Sequence, residues 1–321
     1  MNTLDTQSPH AAFVAATQWL GEKIIGQEAL IERLMMALLC GGHLLVEGAP
    51  GLAKTRAIKE LSELIEGDFH RIQFTPDLLP SDITGTEIYR PEDGSFNFQP
   101  GPIFHNLILT DEINRAPAKV QSALLEAMAE HQVSVGRETF PLPELFLVMA
   151  TQNPIEQEGT YPLPEAQLDR FLMHLVVDYP NREAEQKILH LVRQESKNTP
   201  TQPPRKLTQL DLFSARKDLL NLHMAEPVER YLVELVMASR APQGELEKWL
   251  DYGSSPRGTI GLDTCARALA WLDGGDGSYL SRAGATPGPA GAGGFISSNP
   301  GSGGDCEFEF GATRRSGITG F

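Results

Sequence analysis

Leu44 to Thr55 reads LLVEGAPGLAKT: an apolar run breaks into a glycine-bearing loop, and the loop reopens as a helix carrying Lys54 and Thr55. Backbone N–H groups gathered at a helix N-terminus form an anion cradle, because Gly48 and Gly51 let the chain curl tightly and the helix dipole adds positive potential. The candidate phosphate-binding residues are therefore Gly48, Ala49, Pro50, Gly51, Leu52, Ala53, Lys54 and Thr55. Lys54 supplies a point charge, and the Thr55 hydroxyl is the candidate ligand for Mg²⁺. The run departs from the strict G-x-x-x-x-G-K-[ST] form, since Ala53 stands at the last glycine position. Its flanks recover the motif. His43 to Glu47 reads as a buried strand, and Thr55 to Glu66 places Ala57, Ile58, Leu61, Leu64 and Ile65 on one helical face, with Gly67 as a stop. The competing reading is a surface turn rich in small residues.

A second stretch decides the chemistry. Asn106 to Glu112, NLILTDE, is an apolar strand that delivers two acids at its carboxyl end, 57 residues on from Lys54. A strand apolar on both faces belongs inside a parallel sheet covered by helices. Asp111 is the candidate Mg²⁺ ligand and Glu112 the group that polarises an attacking water, which requires adjacent acids pointing different ways. Leu145 to Ala150 is another apolar strand, ending in Thr151-Gln152-Asn153-Pro154. Asn153 has two readings: an amide that senses a terminal phosphate, or a turn residue ahead of proline.

Composition narrows the classes. The chain has 321 residues, 41% of them hydrophobic, which is ample for a core and long enough for two domains. A formal net charge of −15 counts against nucleic acid or an anionic membrane as general partners. Cys40, Cys265 and Cys306 form no C-x-x-C pair, and the histidines show no ligand spacing, so neither a disulfide framework nor a structural metal is expected. No apolar run reaches spanning length and no basic leader opens the chain, so the expected location is cytoplasmic.

In chain order, residues 1–10 read as frayed and Ala11 to Glu22 as a helix. Ile24-Ile25-Gly26-Gln27 is a turn whose two isoleucines either pack inward or cover a purine ring; Glu28 to Cys40 follows as a core-facing helix. Arg71 to Phe74 is a short strand. Glu87 to Arg90 and Ser95 to Phe98 flank the turn Pro91-Glu92-Asp93-Gly94, giving a hairpin. Pro117 to His131 is a helix, and a second small hairpin turns at Gly136-Arg137. After Leu163 to Phe171 and a strand at Leu172 to Val177 the pattern becomes helical: Asn181 to Ser196, a linker at Asn198 to Pro204, then Leu207 to Arg240. Ser255-Pro256-Arg257-Gly258 opens a last helix, Thr259 to Leu272, facing Arg257 toward the first domain. From Gly274 helical periodicity ends, and 14 of the 30 glycines fall in the last 48 residues, a composition expected to be disordered. The expected division is 1–180 for nucleotide, 181–273 for a helical domain and 274–321 for the tail.

With GAPGLAKT, LILTDE, ATQNP, EAQLDRF and SPRGTI in this order, the chain resembles the MoxR branch of the AAA+ ATPases over about Ile24 to Leu272. The hairpin GTEIYRPEDGSF resembles the extra segment that this branch shares with magnesium chelatases and MCM helicases. The resemblance implies an α/β fold: a P-loop αβα core with a five-stranded parallel sheet, then a smaller all-α lid. It implies a homo-oligomer, a hexameric ring with ATP and Mg²⁺ between subunits. It assigns Lys54 and Thr55 to phosphates and Mg²⁺, Asp111 to Mg²⁺, Glu112 as catalytic base, Asn153 as first sensor, Arg257 as second sensor, and Arg170 as a finger reaching into the neighbour's site. It implies chaperone-like remodelling of partner complexes, often with von Willebrand A domain proteins. Three other readings compete: a nucleotide-gated binding module with little turnover, a motor subunit of the magnesium-chelatase or MCM kind, and a P-loop kinase, which would call for an acceptor site and no second helical domain. The tail departs from the family pattern, as a shifted reading frame or a shortened lid would produce.

Overall fold

The computed structural model describes residues 8–92, 94–154, 159–197, 205–244, 246–248, 250, 253–274, 296–297 and 309–310. The expected fraying of 1–7, the linker at 198–204 and most of the tail lie outside the described residues. Residues 8–10 are ordered rather than frayed. Ser8 caps α1 (Pro9–Lys23) by accepting from the Ala11 N–H at 3.2 Å, and His10 sits edge-on to Trp271 at 5.0 Å.

Helix α2 (Glu28–Cys40) ends at Gly41 in the left-handed conformation, and β1 (Leu44–Gly48) follows. Helix α3 (Lys54–Leu64) stops before its expected end because Ile65 bridges to Leu207: the Leu207 N–H donates to Leu64 O at 2.7 Å, and the Glu66 N–H to Leu207 O at 2.8 Å. After β2 (Phe69–Gln73) comes a short unforeseen helix, α4 (Pro80–Thr84), started by proline and by Asp82, which accepts from the Leu79 N–H at 2.8 Å. The hairpin β3 (Gly85–Arg90) and β4 (Ser95–Pro100) is longer than its sequence core.

Next come β5 (Leu107–Asp111), α5 (Ala118–Glu130), the small hairpin β6 (Gln132–Val135) and β7 (Glu138–Pro141), β8 (Leu147–Gln152), α6 (Glu165–Leu168) and β9 (Met173–Val177). The C-terminal part is helical: α7 (Arg182–Glu195), α8 (Gln209–Asn221), α9 (Glu226–Arg240) and α10 (Pro256–Leu272). Within the tail, β10 (Ile296–Ser297) and β11 (Glu309–Phe310) pair antiparallel.

The main sheet is parallel, ordered β2-β5-β8-β1-β9, so the acid-bearing strand is interior and β8 separates it from the strand that leads into the Gly48–Lys54 loop. Its alternation builds an αβα sandwich. Leu107 and Leu109 face a core shared with α1, α2, α3, α8 and α10, whereas Ile108 faces a second core with α4 and α5. Helices α8 and α10 share that first core with α1 and α2, where Phe13 meets Trp271 edge-on at 5.3 Å. No helix is long and apolar enough to cross a membrane among the described residues.

Candidate active site

The loop after β1 is held by two close fits. A Cβ at Gly48 would lie 2.7 Å from the Val177 carbonyl oxygen of β9, so the backbones can approach only with glycine there. Gly51 has φ +85°, and Ala53, the N-cap of α3, takes φ 57°, a left-handed conformation that costs an L-residue roughly 1–2 kcal/mol. Ala53 thus takes a backbone shape that glycine would adopt without strain. No side chain caps α3, so its first-turn N–H groups lie open to a ligand. Lys54 Nζ donates to Gly48 O at 2.5 Å and to Gln152 O at 3.4 Å. Partial burial pulls the Lys54 pKa down, and Asp111, Glu112 and Glu47 push it back up. A half-desolvated ammonium hydrogen-bonded to neutral carbonyls favours an incoming anion.

The acids diverge, as the sequence expectation required. Asp111 is buried at the end of β5; its Oδ2 accepts from Arg71 Nε at 2.6 Å and its Oδ1 from Thr151 Oγ1 at 3.2 Å. Glu112 turns out of the strand at φ 57°, a left-handed position for a non-glycine residue. Its N–H donates to Thr151 Oγ1 at 3.1 Å, and its Oε2 accepts from Gln73 Nε2 at 3.1 Å and pairs with Arg115 Nε at 2.9 Å. Asn153 is buried just past β8, next to the Gln152 carbonyl that receives Lys54. Thr55 lies in the first turn of α3, half-buried. Hard oxygen donors at Thr55 and Asp111, an open helix N-terminus and Lys54 fit a nucleotide phosphate chain with a divalent cation.

Arg71, Gln73 and Thr151 escaped the sequence reading. Arg71 and Gln73 alternate along β2, so both side chains fall on the face next to the acids of β5. Two polar residues spaced by two at the carboxyl end of a strand were the available signal.

The two isoleucines part company. Ile24 packs in the core at 1% exposure, while Ile25 lines a cavity of about 470 Å³ with Gly26, Val177, Tyr179 and Pro180, beyond the end of β9. Gln27 Nε2 fastens this turn to Asp178 O at 3.0 Å.

The arginines gather elsewhere. Because β1 and β9 run parallel with Leu44 opposite Met173 and Gly48 opposite Val177, Asp169 and Arg170 sit where β1 begins, whereas the Gly48–Lys54 loop sits where it ends. Leu44 and Gly48 at those ends are four residue steps apart, about 13 Å at 3.3 Å per step. Asp169 Oδ1 accepts from Ser255 Oγ at 2.7 Å and its Oδ2 pairs with Arg257 Nη1 at 3.4 Å, which pins the start of α10 beside Arg170. Arg170 Nη1 donates to Ala166 O at 2.7 Å. Both arginines, with His43 and His131, line a cavity of about 270 Å³. The structure brings Arg170 and Arg257 together and keeps them from the loop of their own chain. Beneath them burial drives the His43 pKa down to about 4, against the pull of its Met128 O contact. His43 is neutral: Nδ1 accepts from the Val148 N–H at 3.1 Å and Nε2 faces Met128 O at 3.4 Å.

Residues 43–173 match the family described as ATPase family associated with various cellular activities (AAA). The chain is 48% identical to Chaperone MoxR1 of Mycobacterium tuberculosis over 257 residues, covering 79% of this chain and 67% of that one. It is 33% identical to protein MoxR of Paracoccus denitrificans, covering 83% of each. A crystal structure from Cytophaga hutchinsonii, solved as a candidate ATPase, superposes with a TM-score of 0.75 at 44% identity, covering 84% of this chain and 82% of that one.

Proposed function

The chain belongs to the MoxR family of AAA+ ATPases, and from that premise we propose that it hydrolyses ATP with Mg²⁺ in a hexameric ring to remodel partner protein complexes.

 The ring we propose is a hexamer of identical chains, placed in the cytoplasm, and the partner class is the one the family resemblance implies, a von Willebrand A domain protein among them.

One observation carries the reading: at the carboxyl end of β8, Gln152 O receives Lys54 Nζ at 3.4 Å while the adjacent Thr151 hydroxyl holds Asp111 Oδ1 at 3.2 Å and the Glu112 N–H at 3.1 Å, so the lysine and both acids meet around one strand end. When bound, Mg²⁺ neutralises phosphate charge and orients the phosphate oxygens for attack. The chain's own residues do the rest. The open N–H groups of α3 and Lys54 bind the phosphates, Thr55 and Asp111 offer oxygens to the cation, Glu112 takes the proton of the attacking water, and Asn153 orients that water from the end of β8. Ile25 flanks the space for the base. Arg170 and Arg257, at the opposite end of β1 from the loop of their own chain, serve the site of an adjoining copy. A finger supplied in trans is worth roughly 10³ to 10⁵ in turnover, so an isolated protomer is expected to be nearly inactive.

The test is Glu112→Gln, which keeps the size and hydrogen-bonding reach of the side chain but removes the base. Retained ATP binding with turnover lost supports the assignment. Loss of binding as well would move Glu112 to a structural role.

A further inference from the structure

The environment of Asp111 differs between its two oxygens. Oδ1 is fixed by Thr151, whose hydroxyl donates to it at 3.2 Å while accepting from the Glu112 N–H at 3.1 Å. Oδ2 is held by a single prong, Arg71 Nε at 2.6 Å. Asp111 has a side chain 10% exposed on an interior strand, whereas the Arg71 side chain is 53% exposed on β2 at the sheet edge. A carboxylate this buried needs a cation nearby at all times, and the guanidinium supplies one. Being half in water, that guanidinium leaves at little cost when a stronger cation arrives.

Resting on the reading of Asp111 as the cation's carboxylate, we propose that Arg71 is a positioning residue: it is the resident counter-ion of Asp111 and yields Oδ2 to the divalent cation that enters with nucleotide. A guanidinium and a dication repel at contact distance, so one oxygen cannot serve both. While Arg71 is seated, the carboxylate stays aimed, with Thr151 fixing its rotation. Once the cation is seated, Arg71 turns to solvent. Gln73, which holds Glu112 rather than Asp111, is untouched by the exchange. Arg71 therefore sets how much metal is needed to fill the site and delays filling until phosphate oxygens share the cation's coordination.

The experiment uses Mn²⁺ as the probe, titrated into full-length protein at fixed ADP and followed by the loss of the free-ion paramagnetic signal. Arg71→Gln lowers the half-saturating Mn²⁺ by roughly three- to tenfold, the size of a partly buried ion-pair contribution, and Arg71→Lys stays near the parent. Arg71→Met carries the same expectation should the glutamine variant fail to fold. A half-point unchanged or raised in the neutral variants overturns the proposal. Asp111→Asn separates the two levels: if it keeps the parent's Mn²⁺ half-point, the assignment of Asp111 to the metal fails whatever Arg71 does.

Discussion

Gly48→Ala tests the loop at its tightest point. The added methyl would lie 2.7 Å from Val177 O, 3.2 Å from Val177 Cβ and 3.4 Å from Leu52 Cδ1. The first of these is backbone in a paired strand, where Gly48 and Val177 are register partners, so β1 and β9 must part. Overpacking of this kind costs roughly 1–3 kcal/mol. At roughly 2–4 °C per kcal/mol for a domain of this class, the melting temperature should fall by about 2–12 °C. The shift also moves the Gly48 carbonyl that receives Lys54 Nζ at 2.5 Å, so nucleotide affinity should fall about tenfold or more, a loss of only about 1.4 kcal/mol. Differential scanning fluorimetry and fluorescent-nucleotide titration read the two effects. Gly51→Ala is the companion variant: nothing lies within 4 Å of its added methyl, but its φ of +85° imposes strain, so it loses stability without crowding β9. A Gly48→Ala protein that melts with the parent and binds nucleotide equally well would refute the reasoning.

His43 makes stability pH-dependent: its folded pKa of about 4 lies below its ordinary 6.5, so the unfolded chain binds the extra proton between those values and stability falls as pH drops through that window. The full effect is about 3 kcal/mol, read as a falling urea midpoint, and His43→Gln should flatten that slope. Ala53→Gly relieves the left-handed strain at φ 57° and should raise stability by roughly 0.5–1 kcal/mol, checked by thermal melting. Asp169→Asn keeps an acceptor for Ser255 but loses the Arg257 ion pair, so turnover should drop while the melting temperature and the nucleotide affinity of the isolated protomer stay near the parent.

The strand, loop and helix around Gly48–Lys54 and the acid-bearing strand are legible because both are local: an apolar run, a glycine turn and a helical stripe fall within a dozen residues. Even the Ala53 departure was recoverable, since the flanking strand and helix force its backbone shape. The β3–β4 and β6–β7 hairpins were legible for the same reason, through their turns. The partners of the acids were not. Arg71 and Gln73 reach Asp111 and Glu112 only because β2 pairs with β5, and strand order is set by tertiary packing rather than by neighbours in sequence. Helix α3 ends before its apolar stripe does because Leu207, far along the chain, captures Ile65. The separation of Arg170 and Arg257 from the loop likewise depends on the parallel register of β1 and β9, which no local pattern states.

The central claim, that nucleotide is cleaved between two copies of this chain, is tested most directly by mixing. Glu112→Gln protomers lack the base but present Arg170, and Arg170→Ala protomers lack the finger but keep Glu112. Each variant alone should be silent, and an equal mixture should recover about a quarter of the parent's turnover, the fraction of head-to-tail contacts that pair an intact base with an intact finger. A mixture as silent as its components, under conditions where both assemble, would contradict the account.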